Sequence, residues 1–217
     1  MSVSALKSKS SWRPKKLRLA FWLAFAAIIL IIFDRQTLVE VAEDEHVWWR
    51  HLAGQVTDVA SAEHWFALSI AVMCAAFLAK TLSRSAALRR EFSNLFYWAA
   101  HLFLALTCTG VAVLLLKFLV GRERPEHIHG AFELWDYYLL STDHQYQSFP
   151  SGHTQTIFVV ATFFFILAPR ANILFFVMAF FVALTRVFVL KHFPSDLVVG
   201  AFIGVEGSLL SIHLWSR

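Results

Sequence analysis

Three short groups of residues have the types and spacing to do chemistry together, although they lie far apart in the chain. The first is Lys117, then six residues, then Arg124 and Pro125; the second is Pro150-Ser151-Gly152-His153; the third runs from Arg186 through His192 to Asp196. Three fixed cations, Lys117, Arg124 and Arg186, match the spread negative charge of a phosphoryl group in its trigonal transition state. Arg grips two oxygens at once, while Lys acts as a point charge. Ser151 and Gly152 stand at the mouth of the apolar run "HTQTIFVVATFFFILAP". A helix start offers free backbone N–H groups and the positive end of its dipole to an anion, and Gly152 removes a side chain so that an oxygen can approach. The expected phosphate-binding set is therefore Lys117, Arg124, Ser151, Gly152 and Arg186.

Two histidines divide the remaining work. An imidazole beside a carboxylate is held in one tautomer, which leaves its other nitrogen free as a nucleophile. His192 and Asp196, separated by three residues, have that spacing. His192 is expected as nucleophile, Asp196 as its orienter, and His153 as general acid for the leaving oxygen. Singly, an Arg or Lys near a membrane helix end is usually an interfacial anchor. Seven such groups in three clusters on one face outweigh that reading. No set of His, Cys or carboxylates with ligand spacing remains once these are assigned, so neither a metal nor a cofactor is expected.

The elements that carry these groups are membrane helices. The chain has 217 residues, 58% of them hydrophobic, with mean hydropathy +0.60, too apolar for a soluble domain of this length. Hydropathy resolves into six blocks at about 19–38, 64–80, 95–117, 154–169, 172–190 and 197–215, each near the roughly 20 residues that span a bilayer as helix. Strands of a barrel would alternate with period two, and these blocks do not. The fold class is all-α: a six-helix transmembrane bundle with an outward-facing active site. A basic segment, 1–18, precedes a single transmembrane domain, 19–217, and the first block reads as an uncleaved helix because no small-residue cleavage site follows it.

Twelve of the nineteen Lys and Arg residues fall on one side of this layout, among them Lys15, Lys16, Arg18, Lys80, Arg84, Arg89, Arg90, Arg170 and Arg217. The excess of basic residues on that side makes it cytoplasmic, with both termini inside. The net charge of +4 then reflects anchoring to anionic lipid and implies no nucleic-acid partner. The opposite face holds an interfacial segment at about 39–63, a loop at about 118–153 and a short turn at 186–196. In the first of these, Trp48, Leu52, Val56 and Val59 recur at helical spacing, as in a helix lying in the membrane interface or a docked connector. Cys74 and Cys108 lie within apolar helices and read as small buried hydrophobes. Glu206, near the middle of the last helix and among Gly200, Gly204 and Gly207, reads as a structural carboxyl where helices approach closely.

The pattern K-x(6)-R-P, then P-S-G-H, then [S/T]-R-x(5)-H-x(3)-D resembles the three-part signature of the type 2 phosphatidic acid phosphatase superfamily. Lys117, Arg124 and Pro125 match the first part, Pro150 to His153 the second, and Arg186, His192 and Asp196 the third; Thr185 stands where the family more often has Ser. The resemblance implies a metal-independent lipid phosphatase working through a phosphohistidine at the outer face of a plasma membrane, here a bacterial inner membrane facing the periplasm. Its partners would be a lipid phosphate and the bilayer, with oligomeric state left open. Family substrates include phosphatidate, phosphatidylglycerophosphate, isoprenyl diphosphates and lipid A phosphates. The sequence does not choose among them: the loop carries Trp135, Tyr137 and Tyr138 to cap a headgroup, but also Glu126, Glu133, Asp136 and Asp143. A lipid phosphotransferase and a non-catalytic lipid-binding or transport protein are the competing classes, and the complete catalytic set argues against the last.

Overall fold

In hydrocarbon every backbone N–H and C=O must be satisfied within its own segment, so the apolar runs become helices. The computed structural model of the chain describes residues 22, 25–29, 32–34, 47–128, 137–168 and 172–215. Helical residues occur at 25–29 and 32–34, followed by α1 (Val47–Thr57), α2 (Ala62–Leu82), α3 (Ala86–Val120), α4 (Gly152–Leu167), α5 (Asn172–Phe188) and α6 (Pro194–Trp215). Residues 50–82, α3 and α6 are each long and apolar enough to cross a bilayer, and α4 and most of α5 are shorter apolar helices. With the N-terminal helical residues this is the six-helix, all-α arrangement expected. Among the described residues the only strand-like pairing is the Arg122–Tyr137 bridge. The basic segment 1–18, Arg170, Arg217, Glu133, Trp135 and Asp136 lie outside the described residues.

α3 is longer than its hydropathy block. It has 35 residues, about 52 Å at 1.5 Å per residue, against a hydrocarbon core of about 30 Å. Hydropathy finds the hydrocarbon, whereas helix ends are set by local chemistry. Ser85 caps the start, its side chain accepting from Leu88 N, so Arg89, Arg90 and Glu91 are helical and exposed. Gly121 ends the helix at φ 60° with its N–H bonded to Lys117 O, the left-handed cap that suits glycine. A Cβ there would stand 1.7 Å from Tyr138 O.

α4 is the central helix, in contact with α3, α5 and α6 and less extensively with α2, and Thr154 to Ile157 and Val159 to Thr162 are buried along it. Burial of apolar surface does not drive helices together in lipid; close fit and buried hydrogen bonds do. Gly200 and Gly204 let α6 lie against α4, since an added Cβ would sit 2.5 Å from Ser151 O and 2.6 Å from Gln155 O. On the α3 side, Gly207 faces Thr109, whose hydroxyl accepts a 2.6 Å bond from Gln155 Nε2. Glu206, beside it, is half-buried.

The α1 segment is a docked connector, and the cysteine expectation changes. The buried face of α1 is Ala53 and Thr57, packed toward α5, while Leu52, Val56 and Val59 are exposed. The connector thus docks by its small residues and turns its apolar stripe outward; the side chains of Trp48 and Trp49 lie outside the described residues. Cys74 and Cys108 are exposed on the bundle surface rather than buried. That surface is rich in apolar side chains, with Phe77, Leu114, Ile173 and Phe181 exposed, so a thiol that behaves as a small hydrophobe is at home there as well as in a core.

Candidate active site

Because successive helices are joined end to end, the end of α3, the start of α4, the end of α5 and the start of α6 meet at one end of the bundle. Lys117 lies in the last turn of α3, Arg186 in that of α5, and Ser151 caps α4 by accepting from Thr154 N at 3.3 Å. Gly152 and His153 open the first turn of α4, whose N–H groups have no intrahelical partner. Arg124 follows Gly121 in the loop, and His192 lies in the turn between α5 and α6. All eight residues singled out in the sequence come to this end.

The cations converge. Lys117 Nζ donates to the Gln147 carbonyl, and Arg124 Nη2 approaches the same oxygen at 3.4 Å. Arg124 Nε donates to His144 O at 2.9 Å, and its Nη2 lies 3.1 Å from His144 Nε2. The Arg124 charge holds the His144 imidazole below its ordinary value, with a smaller push from burial, so Nε2 acts as acceptor. Arg186 Nη1 donates to Thr57 Oγ1 at 3.3 Å, while its Nε is buried with no hydrogen-bond partner among the described residues. A buried guanidinium N–H of that kind has a bond still to give. The fields of Arg186, Lys117 and Arg124 all reach His153.

His192 is held differently from the expectation. Its Nδ1 lies 2.7 Å from Ser148 O, while Asp196 Oδ2 stands 3.6 Å from the same nitrogen. The ring therefore donates to a backbone carbonyl, which leaves Nε2 with its lone pair. Asp196 also serves three closer donors: Ser148 Oγ at 2.6 Å, Phe193 N at 2.9 Å and Arg122 Nη1 at 2.7 Å. The bond to Phe193 N is a helix-start motif, a third-position carboxylate reaching back to the cap amide, with Pro194 at the first position. Burial pushes the His192 imidazole down to about 3, against the upward pull of Asp196 and with help from Lys117 and Arg186. The ring is neutral at physiological pH.

Sequence reasoning missed Ser148, His144, Gln147, Arg122 and Asp34. Arg122 carried one signal: it lies within the first cluster, between Lys117 and Arg124. It is buried, with its Cζ 3.8 Å above the Phe193 ring, and its Nη2 reaches Asp34 Oδ2 at 2.9 Å. Of the loop acids, Glu126 is paired with Lys191 at 2.5 Å and exposed Asp143 caps a short 3₁₀ turn. The Tyr138 and Tyr146 rings meet at a tilt of 40° with centroids 4.0 Å apart.

The sequence profile of the PAP2 superfamily matches residues 98–217, more than half of the chain. The chain belongs to that superfamily. The lipid A 1-phosphatase of Rhizobium johnstonii is 35% identical to this PAP2 protein over 118 residues, which cover 54% of this chain and 48% of the relative. The chain spans about half the length of the curated relatives it matches. The crystal structure of LpxE from Aquifex aeolicus superposes with TM-score 0.56 at 26% identity, over 83% of this chain and 94% of that one. A transmembrane PAP2 type phosphatidylglycerolphosphate phosphatase from Bacillus subtilis superposes with TM-score 0.62 at 18% identity, over 90% and 92% of the two chains, a likeness of fold.

Proposed function

We propose that this PAP2 protein hydrolyses a lipid phosphate at the membrane surface through a phosphohistidine at His192. The observation that carries the reading is the convergence of Lys117, Arg124 and Arg186 on the start of α4, beside a buried neutral imidazole whose Nδ1 is already bonded. The three cations and the first-turn amides hold the phosphoryl oxygens. His192 Nε2 attacks phosphorus in line, the P–N bond forms and the P–O bond to the lipid breaks. His153 gives its proton to the leaving oxygen, then takes one from the water that cleaves the P–N bond and releases phosphate. The negative charge of the bound phosphate favours a proton on His153 beside it.

Lysines and arginines supply the charge opposite the phosphate, and among the described residues no three His, Cys, Asp or Glu side chains group as metal ligands. The cations favour a metal-independent reaction. A cavity of about 580 Å³ near the site, with Phe33, Phe158, Leu184 and Leu197 in its wall, has room for an acyl chain; Thr154 and Pro194, neighbours of the site residues, also line it. Lys80, Arg84, Arg89 and Arg90 are exposed at the opposite end of the bundle, which favours a cytoplasmic position for that end and a periplasmic one for the site.

The relatives' names direct the test to lipid A 1-phosphate and phosphatidylglycerophosphate, with phosphatidate and isoprenyl diphosphate beside them. Purified protein in detergent with EDTA and no acceptor lipid should release inorganic phosphate from at least one of these. No release from any lipid phosphate, with the protein folded, contradicts the reading. Release that needs added Mg²⁺ contradicts metal independence.

A further inference from the structure

Arg122 and Asp34 form a buried ionic link that the phosphate chemistry described above does not use. Asp34 is fully buried and Arg122 nearly so. One guanidinium nitrogen of Arg122 donates to Asp34 Oδ2 at 2.9 Å; the other donates to Asp196 Oδ1 at 2.7 Å and to Ser195 Oγ at 2.8 Å. Asp34 also accepts from the Ser195 amide at 3.0 Å and from the Ser195 hydroxyl. Every oxygen of both carboxylates therefore has a donor. An ion pair buried this completely is a poor choice for stability alone, because desolvation offsets most of the attraction.

Its placement gives it another use. His192 Nδ1 stands 3.6 Å from Asp196 Oδ2 but 2.7 Å from the Ser148 carbonyl, which is therefore its closer partner. Ser148 is fixed in turn by its hydroxyl on Asp196 Oδ2 and by its amide, which donates to Arg122 O at 2.9 Å. Both ends of Arg122 thus bear on Ser148, through its backbone oxygen directly and through its guanidinium by way of Asp196. We propose that Arg122, oriented by Asp34 and stacked on Phe193, is a positioning residue for His192. It fixes Asp196 and Ser148 so that the imidazole keeps its proton on Nδ1 and its lone pair on Nε2.

The proposal rests on the nucleophile reading of His192, and its tests separate the two. The Arg122 guanidinium is bonded to Asp34, Asp196 and Ser195 rather than to the proposed phosphate-binding set, so its loss should act on kcat and leave KM alone. Arg122→Met should lower kcat about 100-fold, the order seen when a group orienting a ligand or catalytic imidazole is removed, with KM within about threefold. Arg122→Lys, which retains one charge on Asp196, should recover roughly tenfold of that loss. Asp34→Asn, which leaves the Arg122–Asp196 pair, should cost about tenfold in kcat and serves if Arg122→Met does not fold. Independently of turnover, ¹⁵N-histidine NMR of the protein in micelles, with His192 assigned through His192→Asn, should show one tautomer protonated at Nδ1. Arg122→Lys and Asp34→Asn should show a mixed signal. Unchanged kcat and a single His192 tautomer in folded Arg122→Lys and Asp34→Asn would overturn the proposal, as would losses that track only the folded fraction. Wild-type protein inert on every lipid phosphate would sink the phosphatase reading instead, while the tautomer comparison would still judge Arg122.

Discussion

At the scale of the residue, the site depends on keeping one imidazole neutral and oriented. Burial holds His192 at about 3, well below the ordinary histidine value of 6.5. Between those two values the unfolded chain binds a proton at this position and the folded protein does not. His192 therefore takes stability away progressively as pH falls from about 6.5, and contributes nothing above it. Thermal unfolding in detergent should show Tm dropping between pH 7 and pH 5, with a smaller drop in His192→Asn; an equal drop in both proteins would show that His192 is not the group responsible. The gathering of the eight candidate residues at one end was legible from their grouping and from a spacing that repeats a known signature, not from any single residue type, since an Arg or Lys at a helix end is commonplace. Ser148 was not legible, since its part in the site is mainly its backbone carbonyl, and every residue has one. Asp34 was hidden for another reason: it lies 88 residues before Arg122, and nothing local to either residue announces a partner at that distance.

At the scale of the element, α4 carries the start of the site and α6 presses against it. Gly200 is the closest point, where an added Cβ would meet Ser151 O at 2.5 Å, and backbone cannot rotate away as a side chain can. Gly200→Ala should therefore force α6 off α4 at the level of the Ser151 cap and destabilise by about 1–3 kcal/mol, the usual range for overpacking. Turnover should fall with it, because Ser151 N also bonds Asp196 O at 3.1 Å across the same contact. Gly110→Ala, at a position with nothing within 4 Å, is the control and should leave Tm and turnover close to wild type. A neutral Gly200→Ala would mean that the two helices are not packed as described. The hydropathy blocks located the helices but misjudged α3 by several residues at its start, since charged residues such as Arg89 and Arg90 are as compatible with a helix in water as apolar ones are in lipid. The three glycines of α6 were visible in the sequence as a close-contact face, and the added-Cβ distances bear that out.

At the scale of the whole molecule, the bundle has an apolar outer surface, a polar site at one end and exposed arginines at the other. If the site end faces the periplasm, a cysteine at exposed Leu139, in a background lacking Cys74 and Cys108, should react with an impermeant thiol reagent added to intact cells. A cysteine at Ser85, beside the cytoplasmic arginines, should react only after the cells are opened. The reverse pattern would place the site on the cytoplasmic side. The layout of six helices was legible because the hydrocarbon core demands a long apolar run of every span. A docked connector was one of two readings of α1, but the face that meets α5 was not legible, because the small face of Ala53 and Thr57 carries no hydropathy signal beside the larger stripe of Leu52, Val56 and Val59. In the proposed reaction phosphorus passes through His192. The direct measurement is rapid acid-free quenching of the protein with ³²P-labelled substrate, chosen from the lipid panel, followed by peptide mapping. The label should appear on the peptide holding His192, be lost in mild acid, survive alkali, and be absent from His192→Asn. Label on another residue, or full turnover in His192→Asn, would contradict it.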